Sequence, residues 1–452
     1  MSTHSKDSAK DQGWLKRSTN VSLEEVNNTV SIPNKGGFWR KFLAFAGPGS
    51  LVAVGYVDPG NWATSIAGGA RFGYTLLIVI LLANLVAMLL QALAAKLGIV
   101  TGRDLAQATR DATGKKTAFV LWLLTELAII ATDLAEVIGS AIALNLLLGI
   151  PLLWGITITT LDVLLLLYLQ RKGFRIIEAI IIVLMTTIFG VFAFEVMISK
   201  PEISALLGGF VPKAEIVANP DMLFVSLGIL GATVMPHNLY LHSSIVQTRQ
   251  YKRTAEGKKE ALTFSLLDST FSLTMAFFIN AGILILGAAA FYGTNLDVSE
   301  IEAAYELLSP TLGVGIASTL FAVALLASGQ NSTITGTISG QIVMEGFLQL
   351  QIAPWLRRLI TRLLAVIPAF IVTWIYGSKG TGELLLWSQV ILSLQLPFAV
   401  IPLVLFTSDK KKMGEFANTL PVKIVAWICT VLIVMLNIFL IGYIVLTGHD
   451  IG

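Results

Sequence analysis

Gly55-Tyr56-Val57-Asp58-Pro59-Gly60-Asn61-Trp62 and Ala232-Thr233-Val234-Met235-Pro236-His237-Asn238 interrupt two long apolar runs with polar residues and a proline. Proline removes a backbone donor and clashes with the preceding turn, so each stretch predicts a helix broken at mid-segment. Irregular backbone inside a bilayer is tolerated only where protein buries it or it lines a cavity. Eleven apolar segments surround and include these breaks: 42–72, 74–98, 118–149, 151–169, 176–198, 222–247, 262–292, 310–346, 356–376, 383–407 and 422–447. The broken segments are the first and the sixth, which run in opposite directions. Matched breaks in that relation predict two inverted five-helix repeats, 42–198 and 222–407. An eleventh helix with a short external C-terminus follows over 422–452. Residues 1–41 are polar, lack the apolar core of a signal peptide and read as a mobile cytoplasmic tail.

Composition agrees. Of 452 residues, 55% are hydrophobic and only 13% charged, against about 25% charged in a soluble domain. A soluble chain could not hide that much apolar surface, and disorder needs the opposite balance. The fold class expected is an all-α polytopic membrane protein with eleven transmembrane helices. With the N-terminus inside, 27 of the 31 Lys and Arg residues fall in cytoplasmic segments. Only Arg71, Lys200, Lys213 and Lys379 fall outside. The expected location is a multi-pass plasma membrane protein with an extracellular C-terminus. A net charge of +3 makes no case for nucleic acid, and the single Cys429 excludes an internal disulfide or a thiolate cluster. Neither G-x-x-x-x-G-K nor H-E-x-x-H occurs, which disfavours ATP-driven pumping and metalloprotease chemistry. The expectation is a transporter, not an enzyme.

The side chains at the breaks are Asp58, Asn61, Met235, His237 and Asn238. A carboxylate in the membrane interior is expensive without a cationic partner. No Lys or Arg lies near the middle of a predicted span, so a transported cation is the expected partner. Asp58, the Asn61 amide, the Ala232 carbonyl and the Met235 thioether form a mixed hard and soft donor set. Sulfur serves Ca²⁺ and Mg²⁺ poorly but suits Mn²⁺, Fe²⁺, Co²⁺ and Cd²⁺. The plain alternatives are a proline bend and a methionine that only packs. His237 reads either as a proton carrier or as a neutral hydrogen-bonded histidine; His242 reads as packing or cavity wall. Glu126, Asp133 and Glu136 fall along one stripe of the third helix. They fit a water-lined proton route, or else a run of interhelical hydrogen bonds. Arg357 and Arg358 read as interfacial anchors. Asp162, Glu195 and Asp268 are isolated acids with no assigned role.

Asp58-Pro59-Gly60-Asn61 and Met235-Pro236-His237 resemble the two signature motifs of the Nramp family (natural resistance-associated macrophage proteins). Gly329-Gln330-Asn331-Ser332-Thr333-Ile334-Thr335-Gly336, continuing through Gly340-Gln341 to Met344-Glu345-Gly346-Phe347, is similar to that family's transport signature in helix eight. Gly47-Pro48-Gly49 at the start of helix one is also similar, and the likeness runs from about residue 40 to the end, as in a bacterial member. The resemblance implies a LeuT-like fold and proton-coupled import of divalent transition metals. It implies ligation by Asp58, Asn61, Met235 and the Ala232 carbonyl, with Gln389 reaching the metal during the cycle. It also implies proton movement through His237 and the helix-three acids, with a role for an arginine matching Arg357 or Arg358. The expected partners are divalent metal ions, protons and lipid, for a monomer with no cofactor beyond its transported Mn²⁺ or Fe²⁺. Two rivals share the sequence features: a sodium-coupled amino acid or amine symporter on the same architecture, and a passive cation channel.

Overall fold

The computed structural model describes residues 14, 22–33, 36–161, 173–294, 301–350 and 352–447. Asp162 lies outside them, as does the side chain of Arg358.

Both breaks obey one local grammar. Helix α1 (Phe38–Phe45) ends before Gly47, which takes φ 134°, and α2 (Pro48–Gly55) follows. Tyr56 and Val57 close α2 with tight turns onto the Ala53 and Val54 carbonyls. Asp58 is then extended (φ −68°, ψ 165°), and Pro59 is the first residue of α3 (Pro59–Phe72). A proline costs nothing at that position, because its missing donor would be unpaired anyway. The second break is built alike. After α4 (Leu77–Thr101), α5 (Leu105–Ala112), α6 (Lys115–Leu148), α7 (Leu152–Ile158), α8 (Phe174–Ser199), α9 (Ile203–Gly208) and α10 (Glu215–Ala218) comes α11 (Pro220–Thr233). Val234 leaves the helix, Met235 is extended (φ −68°, ψ 122°), and Pro236 starts α12 (Pro236–Ile245).

The rest of the chain is α13 (Ala255–Phe291), α14 (Ile301–Leu312), α15 (Ala317–Leu348), α16 (Pro354–Ser408), α17 (Lys410–Met413) and α18 (Leu420–Thr447). Gly377, at φ 66°, divides α16 into two arms. The expected segment 310–346 is likewise divided, because Gly313 at φ 69° separates α14 from α15. Helix α6 packs along α15 and α16, while α13 packs along α3 and α4.

Among the described residues, eight helical stretches are long and apolar enough to cross a membrane. Three of the expected segments are not separate members of that set, each for its own reason. The first segment is cut into pieces too short to count alone, with α3 joined to α4 in one stretch, Pro59–Thr101. The fourth is described only as far as Leu161. Helix α15 is too polar, because it is buried by protein on most of its surface rather than by lipid.

Part of the polar tail packs on the folded body. Leu23 is buried in the main core, and strand β1 (Val30–Ser31) pairs in parallel with β2 (Arg249–Gln250) just after α12. Hydrogen bonds to distant residues hold this segment, which local polarity could not foretell.

Candidate metal site

Asp58 caps α3: its Oδ1 accepts from the Asn61 backbone N–H at 2.9 Å and from Asn61 Nδ2 at 2.6 Å. The same Nδ2 donates to the Ala232 carbonyl at 2.9 Å, so one amide joins the two breaks. The capping turn thus aims Asn61 at α11, whose last carbonyls carry the negative end of a helix dipole. Asn280 of α13 steadies the junction, donating to the Tyr56 carbonyl at 2.7 Å and lying 3.4 Å from Asn61 Oδ1. Asp58 Oδ2 is buried and has no hydrogen-bond partner. No Lys or Arg pairs with Asp58 among the described residues.

Met235 is fully buried at the second break, clustered with Ala131 of α6 and Leu392 of α16. Gln389, one turn before Leu392, lies against Gly60: a Cβ there would fall 1.8 Å from Gln389 Nε2. Glycine is needed at position 60 because that amide occupies the space of a side chain. Gln389 Nε2 donates to Ser388 Oγ at 2.9 Å, and its Oε1 is buried without a partner. The structure therefore joins Asp58, Asn61 and Ala232 directly, sets Gln389 on the Asp58 turn, and places Met235 on the facing break. Buried acceptors lacking a donor are costly, so Asp58 Oδ2 and Gln389 Oε1 make this junction a candidate cation site. No group of three or more His, Cys, Asp and Glu residues is arranged to hold a metal among the described residues. A single carboxylate with neutral donors is the arrangement here.

His237 is buried in the first turn of α12 with Nδ1 unpartnered, and Asp133 of α6 is close enough to act on it electrostatically. The acid stripe on α6 splits into two groups. Glu136 Oε1 accepts from Ser332 of α15 at 2.9 Å, while Oε2 lies 3.5 Å from Arg362 Nη1. Arg362 is fully buried and also reaches the Asp133 carbonyl at 3.5 Å and the Thr159 carbonyl at 3.3 Å. Glu126 stands apart, held by Arg357 Nη2 at 2.8 and 3.1 Å.

These contacts correct one expectation. Arg357 is not an interfacial anchor but a buried partner of Glu126. The acid stripe, in a span with no Lys or Arg of its own, takes its basic partners Arg357 and Arg362 from α16. Glycines of α15 make the space: a Cβ at Gly340 would fall 2.1 Å from Arg357 Nη1, and one at Gly336 would fall 3.0 Å from Glu136 Oε1. Arg362 and Asn280 escaped the reading of the sequence. An asparagine within the apolar run of α13 was the available signal for Asn280. His242 proves to be more than packing: Nδ1 lies 3.0 Å from Gln91 Oε1, and Gln91 donates to the Tyr56 hydroxyl at 2.8 Å. Asp268 also finds a role, accepting from the Gly47 and Gly49 backbone N–H groups at the start of α2.

Residues 49–442 match the family model described as natural resistance-associated macrophage protein-like. A Listeria welshimeri protein named divalent metal cation transporter MntH is 65% identical over 437 residues, covering 96% of this chain and 98% of its own. A Nostoc protein of the same name is 60% identical over 421 residues, covering 93% and 95%. Among solved structures, the Eremococcus coleocola manganese transporter, in complex with an aromatic bis-isothiourea substituted compound, superimposes with a TM-score of 0.87. It is 46% identical, covering 93% of this chain and 90% of its own. Mhp1, a nucleobase-cation-symport-1 family transporter, shares the fold at a TM-score of 0.61 and 15% identity, covering 94% and 93%. Matched by the family model along most of its length and by relatives of this identity, the chain belongs to the Nramp family.

Proposed function

We propose that this protein imports divalent transition metals, Mn²⁺ and Fe²⁺ foremost with Co²⁺ and Cd²⁺ as further cargo, together with protons, by alternating access. The observation that carries the reading is the buried Asp58 carboxylate. One of its oxygens is unpartnered, and the other is tied through Asn61 to a carbonyl of the opposite break. The names borne by the relatives, divalent metal cation transporter and manganese transporter, support the same cargo. A dication between the breaks takes Asp58, the Ala232 carbonyl and the Met235 sulfur as donors. Asn61 must then turn its amide oxygen inward, since its Nδ2 now occupies both neighbouring oxygens. Gln389 is placed to join as the helices close.

The carboxylate supplies charge, while the thioether tips selectivity away from Ca²⁺ and Mg²⁺. Protons accompany the metal through Asp58 and His237, then along Asp133 and Glu136, with Glu126 and Arg357 at the far end of the stripe. Two broken helices rocking against the α6, α15 and α16 scaffold would expose the site to each side in turn. We read eleven crossings in two inverted repeats, with the N-terminus cytoplasmic. Reconstituted liposomes test the proposal. Mn²⁺ uptake should be driven by an inward proton gradient and abolished by Asp58→Ala. Uptake indifferent to the gradient, or surviving that substitution, would sink it.

A further inference from the structure

Residues 22–31 lie across the end of the bundle where α5 begins and where α12 and α15 finish. Ser22 Oγ donates to Asp104 Oδ2 at 2.7 Å, and the Leu23 N–H donates to Glu345 Oε2 at 2.9 Å. The Asn28 N–H donates to the Gln247 carbonyl at 3.1 Å, and Val30 and Ser31 pair with Arg249 and Gln250. Leu23 and Asn28 both adopt left-handed backbone (φ 51° and 55°), which asparagine tolerates but leucine keeps only when contacts impose it. Upstream, the Trp14 carbonyl accepts from Arg103 Nη1 at 3.0 Å.

The two ends of this segment rest on different bodies. Asp104 and Glu345 belong to α5 and α15. Gln247, Arg249 and Gln250 continue α12, the second half of the broken sixth helix. Arg249 is buried and reaches further: it donates to the Phe45 carbonyl at 3.2 Å and the Ala46 carbonyl at 2.6 Å, and it pairs with Glu178 at 2.6 Å. The segment is therefore linked through Arg249 to the lead into the first broken helix as well. Within 22–31 only Ser22, Leu23 and Val30 are buried, so detaching it exposes little apolar surface. That combination, specific bonds over a thin apolar anchor, suits a contact made and broken repeatedly.

We propose that residues 22–31 form a strap that holds the cytoplasmic mouth closed by tying the ends of both broken helices to α5 and α15. The strap must release the end of α12 before a bound cation can leave inward. This rests on the transport reading above, so the tests include one that does not depend on transport.

In a Cys429→Ala chain, Ser243→Cys places a thiol one turn before Gln247, where Ser243 Oγ is buried and bonded to the Leu105 N–H. Loosening the strap with Leu23→Asp and Asn28→Pro should speed labelling of that thiol from the cytoplasmic side. Unchanged labelling would overturn the strap whatever the cargo is. Separately, a Ser22→Cys and Asp104→Cys pair, oxidised in the same background, should lose Mn²⁺ uptake and recover it on reduction. Oxidised protein that transports like the reduced form also refutes the strap. Absence of Mn²⁺ uptake by the unmodified chain counts against the transport reading, and the labelling result still decides the strap.

Discussion

Asp58 combines two duties that a membrane usually keeps apart. As an N-cap it satisfies the orphan donors of α3, and as a buried anion it asks for a positive charge. Its neighbours divide the remaining work. Met235→Ala should leave Mn²⁺ uptake measurable while raising Ca²⁺ competition, by about tenfold if the sulfur contributes about 1.4 kcal/mol of discrimination. Competition assays with both ions read this, and unchanged Ca²⁺ exclusion would place selectivity elsewhere. Gly60→Ala should weaken Mn²⁺ uptake because its Cβ displaces the Gln389 amide, and adding Gln389→Ala should relieve the crowding but not restore full affinity. The candidate donors were legible because two short motifs carry them. Asn280 was not, since its importance comes only from the helix that happens to face it.

Helices α6, α15 and α16 behave as a unit in which polar groups are matched across helices. The sequence shows the acids of α6 through their spacing. It hides their partners, because Arg357 and Arg362 lie more than two hundred residues away and Arg357 looks like an interfacial anchor near a span end. A buried pair broken from one side leaves an uncompensated charge, at a cost of about 3–5 kcal/mol. Glu136→Leu should therefore lower thermal stability markedly, and Glu136→Leu with Arg362→Leu should lower it less than the sum of the two single changes. Melting of the four proteins in detergent checks the coupling. Strict additivity would mean that the 3.5 Å contact contributes nothing.

For the molecule as a whole, a cation bound only by the folded state must raise its stability. At Mn²⁺ near one hundred times its Kd, the gain should be about 2.7 kcal/mol, seen as a higher Tm and absent in Asp58→Ala. The end of the bundle that carries residues 22–31 adds a pH dependence. Burial of Asp104, between α4 and α5, raises its pKa from 3.8 to about 6. A carboxyl raised by folding favours the native state below its unfolded pKa, and that stabilisation is lost as pH rises through about 6. Over pH 4 to 7 the effect is about 2 kcal/mol. Asp104→Asn should flatten the corresponding part of the stability profile, measured by denaturant unfolding across that range.

Sequence alone established a helical membrane protein, the place of both breaks and the family likeness, and it named the candidate donor set. These follow from composition, from proline chemistry and from residues adjacent in the chain, so no three-dimensional information was required. The counterions of the acid stripe, the support from Asn280 and the docking of residues 22–31 depend on which distant helices meet. The partners in such contacts leave no local signature, because a buried arginine and an interfacial one, or a docked polar tail and a loose one, are spelled with the same residues.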